Sequence, residues 1–346
     1  MAYTTIDDAS LYFRVKTYSG SSSDGNAVTW DETHANMQPD WLWLKNRTDA
    51  QEHWLADVVR GTGKFLESNS TNAESSDGAS GLASFDTNGF TLNNSARTNR
   101  NTMVGWGWKA GGSASSNTDG SITSTVSANI SAGFSIVSFT GTAANATVGH
   151  GLGVAPACFI TKSRVNAENW GFYHQSLGNG KQLELNTTAA QKTSSAYYNN
   201  TSPTSTVFSI GTADSTNDNQ NMIAYCFAEK KGHSKFSSYS GNGNADGTFV
   251  YTGFKPAWVM IKNSSHARDW IIMDNKRDPD NVVSDRLFPN NTDASNTNND
   301  MLDFTAQGFK IRNTNTTANL SGGTYIYMAF AENPFVTSTG IPTTAR

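Results

Sequence analysis

The chain carries little charge for its length. Charged residues make up 16% of its 346 residues, and the formal net charge is −4. Ordinary soluble domains contain roughly 25% charged residues. Without a basic excess the chain lacks the electrostatic field that holds a phosphate backbone, so we expect no nucleic-acid partner. Its polarity comes instead from amide and hydroxyl side chains.

Long apolar runs are also missing. No stretch approaches the roughly 18 consecutive apolar residues that indicate a membrane-spanning helix. The opening MAYTTIDDAS has neither the basic region nor the apolar core of a secretion signal. We therefore expect no membrane association and synthesis in a cytoplasm.

Cysteine is nearly absent. Cys158 and Cys226 are the only two, and each lies within an apolar run typical of a strand. We expect two buried free thiols, with a disulfide as the alternative, because nothing in the sequence indicates an oxidising compartment. Neither cysteine belongs to a CxxC pair, which excludes the usual zinc motifs.

The sequence also lacks a recognisable reaction centre. The six histidines show no HxxxH or HExxH spacing. The densest carboxylate cluster consists of Asp274, Asp278, Asp280 and Asp285, but it lacks the Gly and the closing Glu of an EF-hand loop. A solvated turn is the favoured interpretation of this cluster, and a calcium loop is the alternative. We predict no catalytic residue, no cofactor and no metal site.

What the sequence does contain is one phrase written three times. In each copy a proline is followed by an apolar run that ends at a lysine six residues after the proline. A polar turn comes next, and a second apolar run begins at a tryptophan 14 or 15 residues after the proline. The prolines are Pro39, Pro156 and Pro256, the lysines are Lys45, Lys162 and Lys262, and the tryptophans are Trp54, Trp170 and Trp270.

This phrase predicts a strand, a turn and a second strand in each copy. The proline is expected at the first position of its strand, where a missing N–H is tolerated. The strand is apolar on both faces, which indicates an inner strand covered on two sides. The lysine is expected to reach the rim of the sheet, with a functional cationic site as the alternative. The three tryptophans are expected in equivalent buried positions.

Together with other repeated strands, the phrase predicts an all-β chain of three tandem β-sandwich domains, each from one unit of about 100 residues. We assign copy 1 to residues 13–110, copy 2 to 132–231 and copy 3 to 232–333. Residues 1–12 are expected to form an N-terminal attachment segment, 111–131 a Gly/Ser/Thr/Asn-rich linker, and 334–346 a C-terminal tail. The long linker predicts that copy 1 swings freely, whereas copies 2 and 3 stay nearly rigid.

Three aromatic residues lie outside the strand pattern. Trp30 falls in a long loop of copy 1, and Tyr197 and Tyr198 fall in an Asn-rich loop of copy 2. Flat apolar rings beside amide donors suit a sugar ligand, so these three are the candidate ligand-binding residues. Packing at the ends of the sandwiches is the alternative.

Several motifs resemble a known family. The opening MAYTTIDDAS, the segment GHGLGVAP (149–156) and the motif FAENPF (330–335) resemble virion proteins of tailed bacteriophages, many of marine hosts, that are labelled tail fibre or structural protein of unknown function. The resemblance covers nearly the whole chain, although copy 1 lacks GHGLG and the Phe-Ala-Glu ending. It implies a place on the virion surface after assembly in the host cytoplasm, with other virion proteins as partners. By analogy with phage fibres, it also implies a homotrimer.

The resulting expectation is a non-enzymatic virion structural protein, a tail fibre that engages host-surface glycan. A head fibre or capsid decoration protein without receptor binding is one alternative. A glycan depolymerase is the other, and it would need two carboxylates facing each other across a groove.

Overall fold

The structure, a computed structural model, describes residues 4–6, 8–31, 35–76 and 80–331. The tail at 334–346 lies outside the described residues. The described chain is built from antiparallel strands, which confirms the all-β expectation. Its three α-helices have four residues each, and none is long and apolar enough to span a membrane.

Strands are numbered along the chain. In copy 1, after a 3-10 turn at Ala9–Leu11, they are β1 (Phe13–Ser19), β2 (Asn26–Thr29), β3 (Trp41–Asn46), β4 (Trp54–Asp57), β5 (Leu82–Asp86), β6 (Gly89–Leu92) and β7 (Thr102–Trp108). Residues 111–131 contain β8 (Ser115–Asn117) and β9 (Ser124–Asn129).

Copies 2 and 3 repeat the pattern. Copy 2 contains β10 (Phe134–Thr140), β11 (Ala146–Gly149), β12 (Cys158–Ser163), β13 (Gly171–His174), β14 (Lys181–Glu184), β15 (Lys192–Thr193), α1 (Ser195–Tyr198), β16 (Val207–Ile210), α2 (Asp214–Asn217) and β17 (Asn221–Phe227). Copy 3 contains β18 (Ser234–Ser240), β19 (Phe249–Tyr251), β20 (Trp258–Asn263), β21 (Trp270–Asp274), β22 (Leu302–Thr305), β23 (Gly308–Ile311), α3 (Thr316–Asn319) and β24 (Thr324–Phe330).

Each copy builds a larger sheet with the same strand order. The orders are β1-β7-β3-β4, β10-β17-β12-β13 and β18-β24-β20-β21. Copy 2 extends its larger sheet to eight strands with β14 and β15 at one edge and β9 and β8 at the other. Each copy also has a smaller sheet, formed by β2-β6-β5, by β11-β16 and by β19-β23-β22.

Strands β3, β12 and β20 of the larger sheets are buried on both faces. Side chains alternate along a strand, so successive residues of β20 point in opposite directions. Trp258 and Met260 enter a central core, whereas Val259 and Ile261 enter an outer core that includes the smaller sheet of copy 3. Strands β3 and β12 alternate in the same way. The apolar run of the repeated phrase has no polar face because each side of the strand lies in a core.

The central core is shared by all three copies. Aromatic pairs join the copies in a closed ring. The ring centroids of Trp41 and Tyr225 are 4.4 Å apart between copies 1 and 2, those of Phe172 and Trp270 4.7 Å between copies 2 and 3, and those of Phe330 and Phe13 5.2 Å between copies 3 and 1. A copy held on both sides by buried aromatic rings cannot swing independently. The expectation of a freely moving copy 1 is therefore wrong.

Residues 111–131 do not behave as a linker. Strand β9 pairs with β10 along the edge of the copy 2 sheet, and Val126 is buried. The Ile122 N–H donates to the Thr147 carbonyl at 3.0 Å, which covers the edge of β11. The hydroxyl residues that suggested flexibility are part of this edge: Thr125 is exposed, whereas Ser124 and Ser127 are buried and their hydroxyls donate to the carbonyls of Gly149 and Gly112 at 2.9 and 2.8 Å.

The described part of residues 1–12 docks on copy 3. Ile6 and Ala9 are buried in the outer core of copy 3, which contains Val250 and Phe254. The Thr4 hydroxyl donates to the carbonyl of Lys231, the last residue of copy 2, at 2.5 Å. These residues link copy 1 to copy 3 without a covalent connection. The expectation that residues 1–12 form an attachment segment stays a prediction.

The three prolines are buried, but none opens its strand. Strands β3, β12 and β20 begin two residues after Pro39, Pro156 and Pro256. The residue between already belongs to the hydrogen-bonded ladder: the Ala157 N–H, for example, donates to the Phe227 carbonyl at 2.8 Å. Each proline thus precedes the ladder, because it has no N–H to contribute.

The three tryptophans are buried, but only two of them are equivalent. Trp270 lies opposite Lys262 across the β20–β21 pair, whereas Trp54 lies opposite Leu44, the residue before Lys45. The extra turn residue in copy 1 shifts the strand by one position, and a one-residue shift turns a side chain to the other face. Trp54 therefore packs in the outer core of copy 1, and His53 occupies the position of Trp170 and Trp270.

Because the central core joins all copies, we expect the whole chain to unfold in a single cooperative transition. Differential scanning calorimetry should give equal calorimetric and van't Hoff enthalpies, the test of two-state unfolding. Two or three resolved transitions, or an early transition assigned to copy 1, would contradict a shared core.

The substitution Trp270→Ala should lower the free energy of unfolding by about 3–5 kcal/mol, because it leaves a cavity in the central core. Denaturant titration followed by circular dichroism measures this loss. Tyr251→Thr is the matched control, since Tyr251 belongs to the same copy but is 60% exposed, and its effect should stay within about 0.5 kcal/mol. Equal effects of the two substitutions would contradict the assignment of Trp270 to the core.

Candidate functional site

Trp30 is not presented to a ligand. Only 3% of it is exposed, and its indole N–H donates to the Met37 carbonyl at 2.8 Å. The ring lies over Gly107, where an added Cβ would be 2.7 Å from it. The proposed sugar contact at Trp30 is therefore wrong. Gly107 was the available signal, because copies 2 and 3 carry Cys226 and Ala329 at this position and leave less room for a ring.

The two candidate tyrosines belong mainly to the outer core of copy 2. Tyr198 is buried, contacts Phe159 and Tyr173 edge-on, and donates its hydroxyl to Gln182 Oε1 at 3.2 Å. The sugar contact predicted for Tyr198 is therefore wrong as well. Tyr197 packs half-buried against this core and keeps a partly exposed ring. The three candidates do not converge on one site, since Trp30 lies in copy 1.

The three repeated lysines cross the seams between copies. None of them reaches the rim, because all three side chains are fully buried. Each ammonium group donates to a carbonyl of the preceding copy in the ring: Lys162 to Thr71 at 3.1 Å, Lys262 to Thr188 at 3.0 Å and Lys45 to Thr292 at 3.1 Å. The three contacts follow one direction around the ring.

Further hydrogen bonds repeat at each seam. The Trp170 indole donates to the Glu67 carbonyl at 2.9 Å, and the Trp270 indole donates to the Glu184 carbonyl at 3.0 Å. His53 takes the third position. Backbone bonds of 2.9 Å join the copies in the opposite sense, from Glu74 N–H to Arg164, from Gln191 N–H to Ser264 and from Ser295 N–H to Arg47. The seams are therefore built by one repeated set of contacts.

Burial lowers the pKa of these lysines. It brings the pKa of Lys45 and of Lys162 to about 8, and that of Lys262 to about 7. Asp269 partly offsets the shift at Lys262, while Arg268 adds to it. A buried amine with a lowered pKa is also what a catalytic lysine requires, but these amines contact backbone carbonyls of a neighbouring copy. Their geometry is that of a structural clasp.

The seam between copies 1 and 2 contains a buried ionic network. Arg60 contacts Asp57 at 2.5 Å and donates to the Tyr225 hydroxyl at 3.0 Å, and that hydroxyl donates to Asp57 at 2.8 Å. Burial opposes the charge on Arg60, but Asp57 and Glu74 hold its pKa above the usual value. Glu74 also pairs with Arg164 of copy 2 at 2.9 Å. A charged group of one copy is thus balanced by a group of the next.

The seam between copies 3 and 1 contains a similar network. Arg277 contacts Asp274 at 2.6 Å and Asp285 at 2.7 Å, and Asp285 also pairs with Arg47 of copy 1 at 2.8 Å. The Trp106 indole donates to Asp274 at 3.0 Å. Two of the four carboxylates of the predicted acidic cluster are therefore bound by arginine, which disfavours the calcium alternative.

The seam between copies 2 and 3 lacks such a network among the described residues. His174 and Leu177 occupy the positions of the Asp–Arg pairs in the other copies. His174 Nε2 lies 3.2 Å from the Tyr327 carbonyl, and burial lowers the pKa of His174 to about 4. A neutral imidazole thus replaces the ion pair at this seam.

The two cysteines and the possible metal ligands do not form a reactive site among the described residues. Cys158 lies in the central core and Cys226 in the outer core of copy 2, as free buried thiols, which confirms that expectation. Burial raises the pKa of both thiols, so neither is a ready nucleophile. Within the described parts of the chain, no group of three or more His, Cys, Asp and Glu residues is arranged to hold a metal.

An open groove of about 250 Å³ lies on copy 1, beside Phe65 and Arg97. Arg97 lies 5.5 Å above the Phe65 ring and pairs with Glu52 at 3.4 Å and with Glu67 at 3.1 Å. The cation in this groove is already paired with two carboxylates, so it is not poised to capture an anionic ligand.

Two exposed aromatic residues were missed by the sequence reasoning. Phe249 and Tyr251 on β19 are 48% and 60% exposed. The alternation Phe-Val-Tyr reads as an ordinary half-buried strand, and only comparison with the other copies identifies it as unusual. At the same positions copy 1 carries Ala27 and Thr29.

Comparison with known proteins identifies a family whose function is unknown. A family model described as a domain of unknown function, DUF7483, matches residues 8–334. No curated protein and no solved structure matches the chain. The matched region takes in all three copies.

Replacing Lys262 by Met should change how stability depends on pH. Because the pKa of Lys262 is lowered to about 7 in the folded chain and is near 10.5 when unfolded, the unfolded state binds more protons between these values. The contribution of Lys262 to stability therefore rises with pH in this window. Between pH 7 and pH 9 the wild type should gain about 2 kcal/mol relative to Lys262→Met.

Denaturant titrations of both proteins at pH 7, 8 and 9 measure this difference. Cysteine and tyrosine ionisation affects both proteins equally and cancels. A difference that stays constant across the window would mean that Lys262 keeps its proton up to pH 9, and would contradict the lowering of its pKa by burial.

Proposed function

The chain belongs to the DUF7483 family, and from its own residues we propose that it is a non-enzymatic structural protein of a bacteriophage virion. Its role is that of a tail fibre or fibre-like protein on the virion surface, assembled in the host cytoplasm. It is proposed to contact other virion proteins and to take part in attachment to host-surface glycan. The resemblance of MAYTTIDDAS, GHGLGVAP and FAENPF to phage virion proteins supports this assignment.

The observation that carries the proposal is that the buried lysines and carboxylates are bound by other groups of the chain. A catalytic acid, base or nucleophile must reach a substrate, but the buried lysines Lys45, Lys162 and Lys262 contact neighbouring copies instead. The buried carboxylates Asp57 and Asp274 are neutralised by arginines. These groups stabilise the contacts within and between the copies, which favours a structural role over a glycan depolymerase.

We further propose that the fold is three tandem β-sandwich domains, formed from one unit of about 100 residues and closed into a ring. The shared strand order and the shared seam contacts support this division. Phage fibres obtain a threefold arrangement from three chains, and here a single chain supplies three copies. The homotrimer inferred by analogy stays a prediction.

The proposal is tested on particles of the phage that encodes this chain. Gold-labelled antibody against the purified protein should mark the tail in electron micrographs, and the purified protein should bind host cells and slow phage adsorption. Label on the head, with no effect on adsorption, would overturn the fibre assignment in favour of a decoration protein. Shortened products after incubation with host polysaccharide would overturn the non-enzymatic assignment.

A further inference from the structure

The outer face of β19 presents two aromatic rings to solvent. Phe249 and Tyr251 are two residues apart, so their side chains leave the strand on the same face, about 7 Å apart. Val250 between them is buried in the outer core, and β19 pairs with β23. The rings are therefore mounted on a strand that is held by its neighbour and by the core beneath it.

Neither of the other copies carries aromatic residues at these positions. Strand pairing makes Val250 equivalent to Val28 and Val148, since each lies opposite the repeated Phe of the neighbouring strand. The flanking positions are Ala27 and Thr29 in copy 1 and Thr147 and Gly149 in copy 2. Two large rings in copy 3 are therefore not required by the repeated fold.

In copy 2 the same strand is covered by the chain itself. The Ile122 N–H donates to the Thr147 carbonyl at 3.0 Å, and the Ser121 N–H donates to the Thr147 hydroxyl at 2.9 Å. The Asn117 amide fills the space above Gly149, where an added Cβ would be 1.6 Å from it. This cover thus depends on small side chains beneath it.

Tyr251 replaces Gly149 in copy 3 and occupies the space that a covering segment would need. Among the described residues, none covers Phe249 or Tyr251, and the strand keeps its rings in solvent. An exposed aromatic pair with no role in packing is typical of a binding surface. A flat ligand that stacks on rings suits this face better than a chain segment laid along the strand.

The surroundings of the two rings are polar and electrically balanced. Lys310 lies beside Phe249 and pairs with Asp246 at 2.7 Å, and Arg312 pairs with Asp303 at 3.3 Å. Next to Tyr251 lies Gly308, which places no side chain on the face. On the Tyr251 side, a cavity of about 410 Å³ is lined by Lys231 and by Lys235, which pairs with Glu229 at 2.7 Å. Lys310, Arg312 and Lys235 thus each have a carboxylate partner, which favours a neutral ligand over an anion.

We propose that the β19 face, formed by Phe249 and Tyr251 with Lys310 and Asp303 at its side, is a binding platform for neutral carbohydrate. The inference rests on the proposed glycan-attachment function and names the place and the ligand class. The apolar side of a sugar ring stacks on the aromatic rings, and its hydroxyls bond to the amine and carboxylate of the neighbouring strands. Paired charges favour neutral over acidic sugars.

The test uses the full chain and an array of immobilised neutral oligosaccharides, such as glucans, mannans and galactans, alongside sulfated and sialylated counterparts. The double variant Phe249→Ala/Tyr251→Thr carries the residues that copy 1 has at these positions, so the fold tolerates them. Ile130→Thr is the matched control, because Ile130 is another exposed apolar residue at 59% exposure. Tyr251→Phe retains the ring.

The wild type should bind neutral members of the array, and the double variant should bind them about tenfold or more weakly. Ile130→Thr should bind as the wild type does, and Tyr251→Phe should lose no more than about threefold. Equal binding by the double variant and the wild type would overturn the site while leaving the attachment function intact. Preference for acidic members would overturn the ligand class.

Host-cell adsorption separates the remaining outcomes. If the wild type adsorbs to cells but binds no oligosaccharide, attachment stands and the carbohydrate platform is overturned. Loss of that adsorption in the double variant would identify a protein receptor at the β19 face instead. If the wild type neither adsorbs nor binds sugar, the proposed attachment function fails together with the platform.

Discussion

The fold depends on one constraint. The inner strands of each larger sheet are apolar on both faces, but each copy has only one smaller sheet, which can cover only one of those faces. The outer face is buried within the copy, against residues such as Phe90, Phe208 and Phe309. The inner face, with residues such as Trp258, must be buried against the other copies. When three such sheets close into a ring, every inner face packs against two others, and all three inner faces are buried. A free copy would expose its inner face to water.

Polar contacts give this apolar ring its register. Lys162 and Lys262 bind carbonyls of the preceding copy, and the indoles of Trp170 and Trp270 do the same. Burying an ammonium group carries a desolvation cost that apolar side chains would avoid. We infer that the cost is tolerated because a hydrogen-bonded cation fixes which carbonyl lies opposite, whereas apolar surfaces can slide. The low net charge of the chain is consistent with charged groups that are paired inside the body.

Much of the local structure could be predicted from the sequence, because strand period and repetition are local signals. The repeated phrase located β3, β12 and β20 and their burial on both faces. It placed the lysine of each copy at the rim of the sheet, whereas all three lysines are buried. The ring could not be predicted, since an apolar inner face does not specify what covers it. The composition of residues 111–131 predicts a linker, although Val126 is buried in the outer core of copy 2 and Ile122 packs against that core.

The candidate site shows the same division. Trp54 matched its counterparts by residue type, but the extra turn residue of copy 1 gave the position to His53, and only strand pairing reveals the shift. Trp30 was selected for lying outside the pattern, while its cavity was provided by Gly107 on a distant strand. Phe249 and Tyr251 obey the pattern and were passed over, because nothing in their own segment indicates that copy 2 covers the equivalent strand.

The central claim is that the three copies share one core and are equally locked into it. Native-state hydrogen exchange, followed by mass spectrometry of peptides that contain β3, β12 and β20, measures this directly. The account predicts that the slowest amides of all three strands exchange with the same free energy of opening, equal to the global free energy of unfolding. A markedly lower value for β3 alone would mean that copy 1 opens independently, and would contradict the shared core.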